Sequence, residues 1–194
     1  MASQIANVAR RDWIAIALIT LLMWATRSDH FASALHLADA SWAVFFIAGI
    51  MGTRIRVALW LMINASVIDY LALRAGVSSY CVTPAYVFLV PTYLALWASG
   101  RWAATTFDWN AWSLLKAALA LCLGVVGAFI ISNASFYALG GHFEEMSALR
   151  FTIKVAVYFP RFLVSTALYT IVAGVVAYAW QQAQTILRTR AANR

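Results

Sequence analysis

A bundle of about six membrane-spanning helices is the fold class that this sequence predicts. Of its 194 residues, 64% are apolar and only 11% are charged, and the mean hydropathy is +0.79. A water-soluble domain of this composition lacks the polar residues to cover its surface. One helical crossing takes roughly 20 apolar residues, so the chain has room for about six crossings and short loops, and none for a separate soluble domain.

Helices are expected rather than a membrane barrel, because the apolar runs are unbroken and do not alternate with polar residues. We therefore predict one all-α integral membrane domain over residues 1–194. The approximate bounds of its six helices are 13–25, 41–51, 57–73, 84–99, 112–132 and 149–182. The first resembles a signal peptide, but no small-x-small cleavage site follows it, so we expect it to be retained.

Positive charges near the helix ends predict the orientation. If six helices alternate in direction, one set of arginines lies on a single side, which the positive-inside rule makes the cytoplasm. That set is Arg10, Arg11, Arg54, Arg56, Arg101, Arg188, Arg190 and Arg194. Both chain ends are then cytoplasmic, and the outer side carries the segments 25–39, 76–84 and 138–146. The segment 25–39 is too polar for lipid and is expected to fold back as a lid or half-helix.

Several function classes are excluded by what the sequence lacks. The arginines are isolated rather than gathered in a dense basic block, so nucleic acid is not an expected partner. No Gly-rich phosphate loop, HExxH or GxSxG motif occurs, which excludes ATP hydrolysis by this chain alone and the common hydrolases. Cys81 lies in a polar loop and Cys122 in an apolar helix, so no disulfide framework is predicted.

The segment Ser78 to Pro84 around Cys81 is the most informative part of the sequence. It predicts a loop entering the fourth helix, with Thr83 as the N-cap and Pro84 at the first helical position. The thiol of Cys81 then lies just outside a helix N-terminus, where the helix dipole favours the thiolate. A thiolate there is a soft metal ligand or a nucleophile, and the alternative is a small apolar filler in a tight loop.

Asp69 places a carboxylate inside the third predicted helix, where a charge is costly unless it is paired or functional. It is therefore either a site residue or half of a structural ion pair. The sixth helix offers Arg150, Lys154 and Arg161, whose spacings of 4 and 7 put them on one helical face. This stripe either binds an anionic ligand or neutralises Asp69 and two nearby glutamates, and the sequence leaves both options open.

Three further residues complete the candidate site. Tyr86, in the first turn of the fourth helix, is expected to hydrogen-bond a ligand or Asp69, or to be an ordinary interfacial aromatic. Pro160 interrupts the sixth helix beside Arg161, and such breaks often line a site. His30 lies among acidic residues on the outer side, so it is either a metal ligand or a solvated or capping residue.

With Cys81 in an outward loop before the fourth helix, the chain resembles the substrate-binding S-components of energy-coupling factor (ECF) vitamin transporters. More closely, it is similar to the BtuM family, the solitary S-component-like proteins associated with vitamin B12 uptake. The resemblance covers nearly the whole chain in length and helix layout. Its specific elements are Asp69 and the segment SSYCVTPAY.

The resemblance implies a transporter of the bacterial inner membrane, with a cobalamin pocket open to the periplasm and Cys81 as an axial ligand of cobalt. Asp69 and Tyr86 would support this site. The other expected cobalamin-binding residues are His30, Arg150 and Arg161. A thiolate is a strong donor that can replace the benzimidazole base of the vitamin, and its donation should weaken the bond to the opposite axial group. Assistance in removing cyanide from cyanocobalamin is therefore also expected.

The first helix departs from the S-component pattern. Helix 1 of S-components that share an energising ECF module usually carries an AxxxA face, whereas WIAIALITLLMWA has Ala15 and Ala17 on different faces. A solitary transporter is therefore expected. The sequence leaves open an S-component for another vitamin or metal, an intramembrane thiol or redox enzyme using Cys81, and a helical assembly subunit without a ligand.

Overall fold

The computed structural model describes residues 2–27, 38–105 and 108–192, apart from the side chains of residues 2–12, of Cys81 and of Ala192. Within these ranges the chain is helical and contains no strand, which confirms the predicted all-α class. Its α-helices are α1 (Ala2–Arg27), α2 (Ser41–Ile50), α3 (Ile55–Arg74), α4 (Leu89–Ala104), α5 (Ala111–Leu139), α6 (Ala148–Ala156) and α7 (Phe159–Ala192). Two short 3-10 helices, Ser79–Cys81 and Pro84–Phe88, lie between α3 and α4.

Three of the described helices are long and apolar enough to cross a membrane. They are Ile55–Arg74, Ala111–Leu139 and Phe159–Ala191. Their outer faces expose large apolar side chains, for example Leu59 and Ile63 on α3, Leu123 on α5 and Leu168 on α7. Continuous apolar faces of this kind are unfavourable in water and favourable in lipid. The chain is therefore a membrane protein.

Helix α2 forms the centre of the fold. Its residues Ser41 to Gly49 are all buried, so it faces protein on every side. At 1.5 Å per residue this helix is about 15 Å long, which is about half of the hydrocarbon thickness of a bilayer. Phe45 is fully buried and stacks on Tyr93 of α4, with ring centroids 4.2 Å apart. The longer helices thus enclose α2 rather than leave it to face lipid.

Glycines bring α2 and α4 into backbone contact. A methyl group on Gly49 would collide with the carbonyl oxygen of Trp97, and one on Gly100 would collide with that of Phe46. On the other side of α4, a methyl group on Gly124 of α5 would collide with the hydroxyl of Ser99. The absence of a side chain at these positions lets the three helices pack closely, as is common between helices in membranes.

The predicted sixth helix over 149–182 is divided into α6 and α7 by a turn at Val157 and Tyr158. Proline lacks an N–H donor, and its ring clashes with the carbonyl group four residues earlier. For Pro160 that residue is Ala156, where α6 ends. The sequence indicated an interruption at Pro160, and the structure shows that it separates two helices.

The helices have two ends, which we name after their arginines. The Arg27 end is where the last residue of α1 meets the start of α2 and the later part of α3. The Arg101 end is where the last turn of α4 meets the loop between α2 and α3, through a hydrogen bond from Arg101 to Gly52. The candidate site residues Asp69 and Tyr86 lie at the Arg27 end.

Candidate functional site

Asp69 is paired with Arg27, the last residue of α1. The guanidinium donates from Nε to Oδ1 at 2.7 Å and from Nη2 to Oδ2 at 2.6 Å. The Arg27 side chain is 10% exposed and that of Asp69 is 25% exposed. A bidentate arginine–carboxylate pair is the strongest geometry open to these two groups, and it holds α1 against α3.

The third nitrogen of Arg27 also has partners. Nη1 donates to the hydroxyl of Tyr93 at 2.7 Å and to that of Ser41 at 3.0 Å, and it lies 3.6 Å from Oδ2 of Asp39. The Ser41 hydroxyl in turn donates to Oδ1 of Asp39 at 2.6 Å. Among the described residues, no buried side-chain nitrogen or oxygen lacks a hydrogen-bond partner. The cost of burying the guanidinium is thereby offset, because each of its three nitrogens has at least one acceptor.

Tyr86 connects the segment that follows Cys81 to this pair. Its hydroxyl donates to Oδ2 of Asp69 at 2.6 Å, which is one of the alternatives that the sequence left open for Tyr86. The predicted cap is present as well: Thr83 is the N-cap of the 3-10 helix that begins at Pro84, and its hydroxyl accepts from the amide of Ala85. This short helix runs directly into α4. We refer to Arg27, Asp39, Ser41, Asp69, Tyr86 and Tyr93 as the Asp69 network.

The residue before Cys81 is held from the opposite side. The Tyr80 ring stacks on the His142 ring, with centroids 4.2 Å apart and planes 13° apart. Nε2 of His142 also lies 3.3 Å from the carbonyl oxygen of Tyr80. Phe136 and Phe143 surround this stack. The loop after α5 therefore packs against the 3-10 helix that contains Cys81.

The basic stripe predicted on the sixth helix does not pair with Asp69. Arg150, Lys154 and Arg161 are exposed, and none of them forms an ion pair within the described part of the chain. Their single helical face is also interrupted, because the turn at residues 157–158 separates Arg161 from the other two. Of the two options that the sequence left open for this stripe, neutralising Asp69 is not what the structure shows, because Arg27 has that role.

Two predicted site groups, the imidazole of His30 and the thiol of Cys81, are not among the described side chains. His30 is in the segment 28–37, and only the backbone of Cys81 is described. Their proposed roles as a metal ligand and as a thiolate remain predictions. Within the described ranges, no group of three or more His, Cys, Asp or Glu residues could hold a metal ion.

Sequence reasoning missed Arg27, Tyr93 and His142. A signal for Arg27 was present, because the predicted orientation places it at the outer end of an apolar helix, where positive charges are disfavoured. An arginine at that position needs a carboxylate partner, and Asp69 was the obvious one. Tyr93 and His142 carried no comparable signal, because an aromatic residue near a helix end has an ordinary interfacial role.

The geometry indicates what the Asp69 network can do. The two oxygens of Asp69 accept three short hydrogen bonds from Arg27 and Tyr86, which tie α3 to the end of α1 and to the segment before α4. Its physical effect is to fix the position of the segment containing Tyr86, and with it the 3-10 helix of Cys81. Asp69 is thus a positioning residue.

Comparison with known proteins gives no further assignment: no protein-family model matches this chain, and no curated protein matches it.

Proposed function

We propose that the protein binds cobalamin in the membrane for vitamin B12 uptake, as in the BtuM family, with the Cys81 thiolate as an axial ligand of cobalt. One observation carries this proposal. The segment bearing Cys81 is anchored on one side by the hydrogen bond of Tyr86 to Asp69, and on the other by the stack of Tyr80 on His142. A ligating thiol has to be held in place by its surroundings, and this segment is held at both ends.

The proposed arrangement in the membrane has six passes, formed by α1, α2, α3, α4, α5 and α7, as in an S-component bundle. The buried α2 contributes a pass that is too short to span the bilayer alone. The Arg27 end then faces the periplasm and the Arg101 end faces the cytoplasm of a bacterial inner membrane, with both termini cytoplasmic. Arg54, Arg56 and Arg101 at the latter end agree with the positive-inside rule.

The proposed chemistry begins with a ligand exchange. The Cys81 thiolate replaces the benzimidazole nitrogen of cobalamin, and no electron is transferred in that step. For cyanocobalamin a second step follows, in which cobalt(III) accepts one electron from an external reductant and cyanide leaves as the anion with its bonding pair. The product is cobalt(II) cobalamin, and the protein contributes the electron-donating thiolate opposite the leaving group.

The visible absorption spectrum of purified protein tests this function. The parent protein, produced in cells grown with cobalamin, should carry a corrinoid spectrum that Cys81→Ser alters or abolishes. Cys122→Ser is the matched control, because Cys122 is an exposed cysteine in the middle of α5 and should leave the spectrum unchanged. Parent protein that stays colourless under saturating vitamin would contradict the cobalamin assignment.

The same preparations separate the rival functions. A reactive Cys81 thiol without corrinoid binding would favour an intramembrane thiol enzyme, and binding of a different vitamin would favour another S-component. Cyanocobalamin that remains unchanged after incubation with protein and excess reductant would limit the protein to binding and transport.

A further inference from the structure

A cavity of about 470 Å³ lies at the Arg101 end, between the α2–α3 loop and the last turns of α4. Three arginines line it, Arg54, Arg56 and Arg101, together with Trp97 and Thr53. It lies at the other end of α3 from the Asp69 network. Because α3 rises about 1.5 Å per residue, the 14 positions from Ile55 to Asp69 separate the two by roughly 20 Å.

The wall of this cavity is held in a defined geometry. Arg101 donates from Nη1 to the carbonyl oxygen of Gly52 at 2.8 Å, and its guanidinium lies over the Trp97 ring, 5.8 Å from the centroid. The indole N–H of Trp97 donates to the Thr53 hydroxyl at 3.3 Å. Gly52 has a φ of 71°, a left-handed conformation that permits this turn. Arg101 is thus positioned by contacts with a carbonyl group and a ring, and no described carboxylate pairs with it.

Among the side chains that the structure describes, none compensates the positive charge of the cavity. No Asp or Glu lines it, and none of its three arginines forms an ion pair with the described residues. This differs from Arg27, which has carboxylate oxygens of Asp39 and Asp69 around it. Arginines that converge without a carboxylate attract an anion, and the planar guanidinium matches the oxygens of a phosphate.

We propose that this cavity binds a phosphate group, either in the head group of an anionic phospholipid or in a soluble phosphate ester. The surroundings fit a site at the membrane surface. Ile55 and Trp60 on α3 and Trp102 on α4 are exposed apolar residues close to the cavity in sequence. Aromatic residues and arginines beside an apolar helix face are typical of the level at which lipid head groups lie.

Lipid binding by the purified full-length chain tests the proposal. Native mass spectrometry measures the affinity for the anionic lipid phosphatidylglycerol and, separately, for phosphatidylcholine, which is zwitterionic and has no net charge. A second arm measures the thermal shift produced by inorganic phosphate. The test variant is Arg54→Gln with Arg56→Gln, since both side chains are exposed and no described hydrogen bond of the fold depends on them. Arg74→Gln, at the far end of α3, is the matched control.

The parent should bind phosphatidylglycerol more tightly than phosphatidylcholine. Each arginine removed should weaken that binding about fivefold, so the double variant should lose roughly 25-fold and Arg74→Gln should lose nothing. This result identifies a lipid head group. A thermal shift with inorganic phosphate that the double variant loses, without any preference between the lipids, identifies a soluble phosphate ester.

Two results would overturn the proposal. One is a double variant that binds phosphatidylglycerol and phosphate as the parent does. The other is an Arg74→Gln variant that loses as much binding as the double variant, which would make the attraction a property of overall charge. Unchanged elution and thermal unfolding of the variants without lipid confirm that they are folded.

Discussion

Both ends of the helix bundle contain arginines, but the arginines have different surroundings. At one end, Arg27 is nearly buried and every nitrogen of its guanidinium has an acceptor from α2, α3 or α4. At the other end, Arg54, Arg56 and Arg101 are exposed around a cavity that no described carboxylate lines. The difference follows from solvation, because a buried charge must be compensated within the protein, whereas an exposed one is compensated by water, ions or lipid. Substitutions of Arg27 should therefore change mainly the stability of the fold, and substitutions of the three exposed arginines should change mainly the proposed binding of phosphate.

The largest expected effect comes from breaking the buried pair. Arg27→Met leaves the Asp69 carboxylate with Tyr86 as its remaining described partner, and Asp69→Leu leaves the guanidinium without its main acceptor. Either change should lower the free energy of unfolding by about 3 to 5 kcal/mol. Removing both charges together should restore most of that loss, because no uncompensated charge remains. Denaturant unfolding in detergent, followed by tryptophan fluorescence, measures all three variants.

The control for this prediction is Arg74→Gln, because Arg74 is an exposed arginine on the same helix as Asp69. It should change the unfolding free energy by less than about 0.5 kcal/mol. If Arg27→Met changed the free energy of unfolding as little as Arg74→Gln does, the buried pair at the Arg27 end would not contribute to stability, and this prediction would be wrong.

A smaller loss of stability is expected from disturbing the backbone contact between α2 and α4 near the Arg101 end. Gly100→Ala places a methyl group against the Phe46 carbonyl oxygen, 3.0 Å from the Ile50 nitrogen and 3.1 Å from the Gly49 Cα. All of these are backbone atoms, so α2 and α4 must move apart. We expect a loss of about 2 kcal/mol in the same unfolding measurement.

Gly127→Ala in α5 is the matched control, because an added methyl group there meets no atom within 4 Å. It should be neutral, or stabilising by up to about 1 kcal/mol through its higher helix propensity. Equal effects at Gly100 and Gly127 would show that helix propensity, and not the contact between α2 and α4, determines the outcome.

Much of the fold follows from local properties of the sequence. The apolar runs predicted α2 and α3 to within a few residues, and Thr83 with Pro84 predicted the cap before α4. Each of these signals depends on neighbouring residues only. The division into α6 and α7 was harder to predict, because Pro160 marks an interruption without fixing how far the helix before it extends.

The candidate site was predicted only where chain connectivity brings its residues together. Asp69 and Tyr86 are only 17 residues apart, and their hydrogen bond was one of the alternatives that the sequence offered. Arg27 is 42 residues from Asp69, and its pairing depends on which helix packs beside α3. Helical periodicity identifies the face on which a residue lies but not the neighbour of that face. For this reason the stripe containing Arg150 stayed an open alternative as the partner of Asp69.

The smallest expected effect concerns the link between the Asp69 network and the segment of Cys81. Tyr86→Phe removes one hydrogen bond to Asp69 while Arg27 still neutralises the carboxylate. We expect a loss of about 1 kcal/mol, as is typical of side-chain hydrogen bonds between membrane helices. Tyr70→Phe is the control, because Tyr70 is an exposed tyrosine one position from Asp69 and should have no effect.

A second readout separates anchoring from general stability. In a Cys122→Ser background, the rate at which a maleimide labels Cys81 reports how often the 3-10 helix Ser79–Cys81 opens. If Tyr86 anchors this segment, Tyr86→Phe should raise the labelling rate about fivefold, which corresponds to the expected loss of about 1 kcal/mol in local stability. A labelling rate equal to that of Tyr70→Phe would mean that the stack of Tyr80 on His142 holds the segment without help from Asp69. Asp69 would then serve the packing of α1 on α3 and not the position of the thiol.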